Sequence, residues 1–342
     1  MPIKTKIIVT GGLGFIGSHT AVELYFKGFE VIIVDDLSNS SIDVLKGLKN
    51  ITKSNLIFEK IDLKNKKSVK ELFEKHVDIK GIIHFAASKA VGESVQDPLK
   101  YYENNLISLI NILQEVEKLK NSISFIFSSS CTVYGEANNL PITEKETIKK
   151  AESPYGNTKQ IGEEIIEDFS NSSDSFKAIS LRYFNPIGAH SSNEIGELPI
   201  GKPQNLVPFI TQTAVGKYKE LIVFGDNYPT SDGTCIRDYI HVVDLAKAHI
   251  KSLNRLLDNK NSSNYDVFNI GTGKGSSVLE VIKSFEKVSN QKLNYKIGSR
   301  RKGDIIEAYA NTKKANSILN WEAKLSLDQA VNSAWKWQQK IQ

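Results

Sequence analysis

A glycine-rich turn near the start of the chain restricts the folds that this sequence can adopt. Residues 6–10 (KIIVT) have the pattern of a short strand, and residues 11–17 (GGLGFIG) follow directly. The run fits G-x-x-G-x-x-G from Gly11 and G-x-G-x-x-G from the next glycine. Glycines at this spacing permit a tight turn and let the backbone approach a pyrophosphate, which the N-terminus of the following helix attracts. We therefore predict a dinucleotide-binding strand–turn–helix unit.

A carboxylate at the end of the second predicted strand narrows the choice of dinucleotide. Asp35 follows the apolar residues 31–34, about 20 residues after the glycine turn. An acidic residue at this place binds the hydroxyls of the adenosine ribose. Because a carboxylate would repel a 2′-phosphate, we expect NAD rather than NADP.

The rest of the first half alternates apolar runs with longer helical patterns. The apolar runs are continuous rather than alternating, which predicts strands buried on both faces of a parallel sheet. These runs lie at 7–9, 31–34, 56–58, 81–85, 125–127 and 178–181, and helices are expected at about 15–27, 66–77, 99–119 and 155–170. Such repetition predicts an α/β protein with a doubly wound parallel sheet, the Rossmann arrangement, and ligands at the carboxyl ends of its strands.

The pattern changes after about Asn185. Segments 186–235 and 286–325 contain more Pro, Gly and Asn and shorter elements, which indicates a smaller C-terminal α/β lobe. Segments near 237–275 are more regular and are expected to return to the first domain. The expected division is therefore 1–185, with those later segments, for the dinucleotide-binding domain and mainly 186–342 for the substrate-binding lobe.

A tyrosine and a lysine four residues apart are the candidate catalytic pair. With Ser153 as N-cap and Pro154 as the first helical residue, Tyr155 and Lys159 share one helix face. The nearby ammonium is expected to lower the pKa of the phenol and favour the phenolate. Ser130 ends a predicted strand and can relay a proton between a substrate hydroxyl and the phenol. Beside a bound dinucleotide, these residues predict a redox site.

Composition argues against several other classes of protein. The net charge is only +5, and the basic stretch 64–70 is short and lacks aromatic residues, so no nucleic acid partner is expected. Cys131 and Cys235 suggest neither a disulfide scaffold nor a metal site, and they suit a reducing compartment. No apolar run reaches the roughly 20 residues of a membrane span, and no signal-peptide pattern is visible. We expect a cytoplasmic protein with no membrane partner.

Longer strings along the chain carry a closer resemblance. The glycine turn with Ser130, Tyr155 and Lys159 resembles the extended short-chain dehydrogenase/reductase superfamily, and within it the NAD-dependent epimerases and dehydratases. Further strings are similar to the UDP-glucose 4-epimerase family over nearly the whole chain, at residues 9–19, 90–96, 127–135, 153–156, 181–186, 232–241 and 300–304. The resemblance implies an isomerase of galactose metabolism. It would interconvert UDP-galactose and UDP-glucose at C4 through a 4-keto intermediate, with NAD as cofactor. It also implies a homodimer formed through the helices near 99–119 and 155–170.

The resemblance implies roles for individual residues as well. The residues implied to surround NAD are Gly11, Gly14, Phe15, Ile16, Gly17, Asp35, Asp36, Leu37, Ser38, Asn39, Ser40, Asp62, Leu63, Phe85, Ala86, Ala87, Lys89, Asn104, Ser130, Tyr155, Lys159 and Phe184. The residues implied to contact the UDP-sugar are Ser130, Tyr155, Asn185, Asn205, Leu206, Arg237, Arg301, Asp304 and Ala308. This chemistry is sensible, because two arginines can neutralise a diphosphate and an aspartate can hold ribose hydroxyls.

Four positions depart from the commonest bacterial pattern of that family. Cys131 replaces an alanine, and Ala87-Ser88 replaces Gly-Leu; both changes are expected to leave the chemistry intact. Ala308 matters more, because many bacterial members have a tyrosine there that guards the 2-position of the sugar. A small residue leaves room for an N-acetyl group, so UDP-N-acetylgalactosamine and UDP-N-acetylglucosamine become expected substrates. A size change compensated by neighbours is the alternative.

Two other functions stay open at this point. A sugar-nucleotide 4,6-dehydratase or a UDP-glucuronate-type enzyme would use the same scaffold, but dehydratases resemble one another in placing Asp-Glu after the catalytic Ser/Thr position. Here Cys131 and Thr132 follow Ser130. A catalytically inactive dinucleotide-binding regulator would usually lack the serine, the tyrosine or the lysine, and all three are present.

Overall fold

The chain folds around a parallel sheet that contains six strands from residues 1–185 and one later strand. The computed structural model describes residues 4–301 and 304–342. Its strands are β1 (Lys6–Thr10), β2 (Glu30–Asp35), β3 (Ile57–Lys60), β4 (Ile79–His84), β5 (Ile123–Ser130), β6 (Phe176–Tyr183), β7 (Asn185–Ile187), β8 (Leu221–Phe224), β9 (Ile236–Arg237), β10 (Tyr239–His241), β11 (Tyr265–Ile270), β12 (Ser276–Ser277), β13 (Tyr295–Gly298) and β14 (Glu307–Ala308).

Helices connect these strands. They are α1 (Phe15–Phe26), α2 (Val44–Thr52), α3 (Lys66–Lys75), α4 (Val91–Gln96), α5 (Pro98–Tyr102), a π-helical turn (Glu103–Ile107), α6 (Ser108–Glu117), a 3₁₀ turn (Cys131–Tyr134), α7 (Pro154–Ser172), α8 (Leu206–Ala214), α9 (Val242–Leu257), α10 (Val278–Ser289), α11 (Lys313–Ile318) and α12 (Leu327–Lys340). Among the residues that the structure describes, no helix combines the length and the apolar character needed to cross a bilayer.

The main sheet confirms the predicted fold class. Within residues 4–301 and 304–342 it has seven strands in the order β11-β6-β5-β4-β1-β2-β3, and each neighbouring pair is parallel. Every residue of β5 is buried, as a strand covered on both faces requires. One face packs on α1, α2 and α9, and the other packs on α3, α6 and α7.

The order of the strands also places the ligand crevice. β1 lies between β2 and β4, so the winding of the chain reverses beside β1. In open α/β sheets, ligands bind outside the carboxyl ends of the strands at this reversal. The glycine turn follows β1, and Ser130 ends β5, so both predicted features lie at the same edge of the sheet.

The predicted helices are present with one difference. The helix expected at 99–119 is interrupted, because α5 runs into the π-helical turn before α6 continues it. Asn105 in this turn donates hydrogen bonds to the carbonyl of Ser88 at 3.1 Å and to the hydroxyl of Thr158 at 3.0 Å. The widened turn therefore allows Asn105 to contact segments that are distant in sequence. Local sequence patterns do not predict such contacts. Helix α2 was not predicted at all.

The later segments form a third apolar cluster, separate from the two on the faces of the main sheet. This cluster joins β7, β8 and β10 with α8, α10 and α12 around Phe285 and Trp335, whose rings lie 5.4 Å apart. A small sheet in the order β12-β9-β14 lies beside it and pairs Arg237 with Ala308. Strand β11 extends the main sheet instead, and α9 packs on α1.

Candidate active site

The glycine turn has the geometry that a pyrophosphate site needs. Gly11 has φ +61°, and a Cβ placed there would lie 2.8 Å from the backbone nitrogen of Ala86. A Cβ on Gly17 would lie 2.3 Å from the carbonyl oxygen of Gly11. Gly14 caps α1 without a side chain, and the first turn of α1 contains no acidic residue. The N-terminus of α1 therefore presents backbone N–H groups to an anion, and these residues fit a dinucleotide.

Asp35 ties the loop after β2 to this turn. Its buried carboxylate accepts hydrogen bonds from the backbone of Leu13 and Leu37, each at 3.0 Å, and from the hydroxyl of Ser40 at 2.7 Å. The carboxylate of Asp36 accepts from the backbone and the hydroxyl of Ser38, at 2.8 and 2.6 Å. The loop 35–40 is thus held beside the turn, where the adenosine ribose of a dinucleotide would lie.

Asn104 joins the next two loops at the same edge. It accepts a hydrogen bond from the ammonium of Lys64 at 3.3 Å and donates one to the hydroxyl of Ser88 at 3.3 Å. Lys64 also pairs with Asp62 at 3.1 Å. The expected adenine neighbours Asp62 and Leu63 are thereby connected to the segment 85–89, which follows β4.

The start of α7 presents the candidate pair. The hydroxyl of Ser153 accepts from the backbone of Gly156 at 3.1 Å and Pro154 is the first helical residue, which confirms the predicted cap. Lys159 is buried, and its ammonium donates to the carbonyl of Ser128 at 2.7 Å. The same ammonium lies 5.9 Å from the centre of the Tyr155 ring.

The expected effect of Lys159 on the phenol is wrong for this structure. Burial raises the pKa of Tyr155 to about 12, and hydrogen bonding with Ser130 lowers it only in part. Burial also lowers the pKa of Lys159 to about 7, although the negative charge of Glu163 opposes that shift. Desolvation is the largest cause of both shifts, since each charged form loses water.

Ser130 completes the catalytic trio, by which we mean Ser130, Tyr155 and Lys159. Its hydroxyl accepts from the backbone of Thr132 at 3.2 Å, and its interaction with the phenol lowers the pKa of Tyr155. Burial raises the pKa of the neighbouring Cys131 thiol to about 11, so this cysteine is a protonated thiol near neutral pH. The structure therefore brings the three predicted catalytic residues together at the carboxyl end of β5.

Residues far apart in the sequence meet across from the trio. Arg237 on β9 pairs with Ala308 on β14, and the backbone of Asn185 donates to the carbonyl of Asp238 at 2.9 Å. Ala308 is 7% exposed and belongs to one apolar cluster with Phe184. The predicted sugar-contacting and nicotinamide-contacting residues Ala308 and Phe184 are therefore neighbours.

Two further groups of residues predicted to contact the substrate pair with acidic side chains. Arg301 donates to the carboxylate of Asp304 at 3.1 and 2.6 Å. Asn205, which precedes Leu206 at the start of α8, donates to the carboxylate of Glu197 at 2.7 Å. Among the described residues, neither Arg301 nor Asp304 hydrogen-bonds to the catalytic trio. Lys302 and Gly303, within the same predicted string, lie outside the described residues.

Sequence reasoning missed two side chains that contact predicted site residues, Glu197 and Phe224. The carboxylate of Glu197 lies 3.5 Å from the ammonium of Lys89 and so connects a predicted cofactor residue to Asn205. Phe224, at the end of β8, is 43% exposed and has the guanidinium of Arg301 5.5 Å from its ring centre. An aromatic residue at a strand end was the available signal for Phe224, whereas nothing local marks Glu197.

The fold and the trio define a member of the extended short-chain dehydrogenase/reductase superfamily. A family model described as GDP-mannose 4,6 dehydratase matches residues 8–334. That description matches the broader class, in which epimerases and dehydratases share one scaffold.

More specific comparisons place the chain within that class. It is 48% identical to UDP-glucose 4-epimerase from Bacillus subtilis over 97% of this chain and 96% of that protein. The UDP-glucose 4-epimerase from Bifidobacterium longum, solved with NAD+ and UDP, has a TM-score of 0.93 at 44% identity over 98% of each chain. The enzyme from Stenotrophomonas maltophila, solved with NAD and formylated UDP-arabinopyranose, has a TM-score of 0.94 at 41% identity over 98% of each chain. The chain belongs to the UDP-glucose 4-epimerase family.

Proposed function

We propose that the protein catalyses the NAD-dependent epimerisation of UDP-hexoses at C4, interconverting UDP-galactose and UDP-glucose. The observation that carries this proposal is the catalytic trio at the carboxyl end of β5, beside the glycine turn and across from Arg237 and Ala308. Membership of the epimerase family supports the choice of substrate.

The trio transfers the proton of the 4-hydroxyl group of the sugar. Tyr155 accepts this proton, directly or through Ser130, and returns it when the hydroxyl group forms again. Lys159, as a cation, binds the nicotinamide ribose beside the phenol. Bound NAD supplies the chemistry that side chains lack, namely the uptake and return of the hydride from C4. The residues that would hold it are the glycine turn, the loop 35–40 and the cofactor set given above.

The substrate is held mainly by its UDP part. Arg237 and Arg301 bind the diphosphate, Asp304 binds the uridine ribose, and Asn185 and Asn205 with Leu206 complete the contacts. The 4-keto sugar must rotate between the two half-reactions so that its other face is presented. The pocket therefore cannot bind the hexose tightly. Strong binding of the nucleotide and loose binding of the sugar satisfy both needs.

The division into domains follows from this arrangement. Residues 1–185, with segments near 237–275, hold NAD, and residues 186–342 mainly hold the UDP-sugar. The two apolar clusters on either face of the main sheet and the separate cluster around Phe285 support this division.

The pocket also accepts N-acetylated sugars. Ala308 contributes only a methyl group to the apolar cluster that it shares with Phe184. A bulky side chain there would occupy the space beside the sugar. UDP-N-acetylgalactosamine and UDP-N-acetylglucosamine are therefore further substrates.

Two copies of the chain form a homodimer through the helices near 99–119 and 155–170. Exposed apolar side chains lie on the first of these helices, with Leu99 at 77% and Ile107 at 39% exposure, and just before it, with Val95 at 62%. A surface of this kind supports burial against a second copy. Sedimentation should give about twice the chain mass of 38.1 kDa, and a mass of one chain would refute the dimer.

The enzyme acts in the cytoplasm. Cys131 and Cys235 are both free thiols, which suits a reducing compartment. Fractionation of cells that express a tagged protein tests this location, and recovery from the membrane or the medium would contradict it.

The direct test of the reaction is product analysis. The purified protein is incubated with UDP-galactose, and the products are separated and identified. UDP-glucose as the product supports the proposal. A 4-keto-6-deoxy sugar would indicate a dehydratase, and unchanged substrate with bound NAD would indicate an inactive regulator.

A further inference from the structure

A buried ion pair lies behind the catalytic trio. Glu163 on α7 and Arg182 on β6 are only 5% and 4% exposed. The Nε of Arg182 lies 2.9 and 3.1 Å from the two carboxylate oxygens, and its Nη2 donates to Oε2 at 2.5 Å. Such a pair is weak evidence for stability, because the lost hydration offsets much of the attraction. Its position suggests a role in the site.

Glu163 reaches the strand that carries the catalytic serine. The hydroxyl of Ser129 donates a hydrogen bond to the carboxylate of Glu163, and Ser129 is completely buried. Ser129 and Ser130 are consecutive in β5, so their side chains point to opposite faces of the sheet. Holding Ser129 on one face therefore fixes the direction in which Ser130 projects towards the phenol.

The same carboxylate lies one helical turn after Lys159. Side chains four residues apart on a helix are neighbours. The ammonium of Lys159 donates to the carbonyl of Ser128, so the lysine is anchored to the strand that Glu163 also holds. Glu163 raises the pKa of Lys159, whereas burial lowers it. Its negative charge therefore favours the cationic lysine that the reaction needs.

Other groups around Lys159 do not replace this charge. His84 on β4 lies near the ammonium, but burial lowers the pKa of His84 to about 3 and leaves it neutral. Tyr155 on α7 is a neutral phenol below its raised pKa. Tyr183 on β6 is also buried, and its raised pKa keeps it neutral. Among the described residues, Glu163 is the acidic group whose charge acts on Lys159.

We propose that Glu163 is a positioning residue of the catalytic site, which holds the serine-bearing strand and places a fixed negative charge beside the catalytic lysine. Arg182 keeps the carboxylate in place through its forked contact, and its Nη1 donates to the hydroxyl of Tyr134 at 3.1 Å. The proposal rests on the proposed function, since it requires Ser130 and Lys159 to be catalytic.

The test is the pH dependence of turnover in the NAD-loaded full-length protein. Glu163→Gln removes the charge and nearly preserves the shape. Without the charge, Lys159 loses its proton at lower pH, so the alkaline limb of kcat for UDP-galactose should move down by about one pH unit. On that limb kcat then falls about tenfold, with little change in KM. Glu164→Gln is the matched control, because Glu164 is the exposed neighbour on the same helix.

A second variant tests the positioning of the serine-bearing strand separately from the charge of Glu163. Ser129→Ala deletes one hydroxyl and leaves the ion pair intact, so kcat should fall about tenfold while the alkaline limb stays in place. A wild-type pH profile in folded Glu163→Gln would overturn the proposal. If Glu163→Gln does not fold, wild-type kcat in Ser129→Ala would overturn it. If the wild type and Glu164→Gln produce no UDP-glucose, the proposed function itself fails.

Discussion

At Tyr155 and Lys159, burial is the largest influence on the pKa of each side chain. Burial raises the pKa of Tyr155 to about 12 and lowers that of Lys159 to about 7. The phenol is thus protonated at neutral pH while the lysine is only partly charged. Among the described groups that act on the phenol, only Ser130 favours its ionisation. Sequence spacing predicted which residues meet, but desolvation depends on the whole fold and could not be predicted from spacing.

Replacing the tyrosine tests its role directly. Tyr155→Phe keeps the ring and removes the group that takes the proton, so kcat should fall by about 10²–10⁴-fold. Steady-state rates with UDP-galactose measure the effect. Tyr102→Phe is the control, since the Tyr102 hydroxyl accepts a hydrogen bond from Asn157 at 2.7 Å and has no proposed part in proton transfer. Near-normal turnover of Tyr155→Phe would rule out the assignment.

The proposed width of the sugar pocket can be tested at Ala308. Ala308→Tyr fills the space proposed for the N-acetyl group, so kcat/KM for UDP-N-acetylgalactosamine should fall about 100-fold more than for UDP-galactose. The rate with UDP-galactose is the internal control. Wild-type turnover of the N-acetylated substrate more than about a thousandfold below that of UDP-galactose would contradict the wide pocket.

At the scale of elements, the first half of the chain was largely predictable. Strands covered on both faces are continuously apolar, and Ser153 with Pro154 marks the start of α7, so periodicity and capping chemistry were sufficient there. The π-helical turn was not predicted because its cause is tertiary. Asn105 widens its turn to reach Ser88 and Thr158, which are distant in sequence.

The glycine turn provides a test at this scale. Gly17→Ala places a Cβ 2.3 Å from the carbonyl oxygen of Gly11, so the turn must open. Such overpacking costs about 1–3 kcal/mol, and the displaced N–H groups should reduce the NAD content of the purified protein. Gly92→Ala is the matched control, because a Cβ there has no described atom within 4 Å. Equal NAD content in both variants would show that the turn does not hold the cofactor.

At the scale of the whole molecule, the substrate side depends on long-range pairing. Arg237 and Ala308 meet because β9 and β14 pair in register, although some seventy residues separate them. No local sequence pattern predicts strands of two residues. Only the resemblance to a family indicated Arg237 and Ala308 as site residues. The carboxylate of Glu197 was missed for the same reason, since its partners Lys89 and Asn205 come from different parts of the chain.

Buried histidines predict how the whole molecule responds to acid. Burial lowers the pKa of His19 and His84 to about 3 and that of His241 and His249 to about 4. Between these values and the ordinary value near 6.5, the unfolded chain binds more protons than the folded chain, so stability falls as pH falls. Each histidine should remove about 1.4 kcal/mol per pH unit within this window. Denaturant unfolding at pH 7, 6 and 5 measures the loss, and an unchanged free energy of unfolding would contradict it.

The central claim is that hydrogen leaves C4 of the sugar and returns to the same carbon. The most direct measurement uses UDP-galactose carrying deuterium at C4, with analysis of the UDP-glucose formed in ordinary water. Internal return predicts that deuterium stays at C4 and that no solvent hydrogen enters there. Replacement of the deuterium by solvent hydrogen would contradict the account.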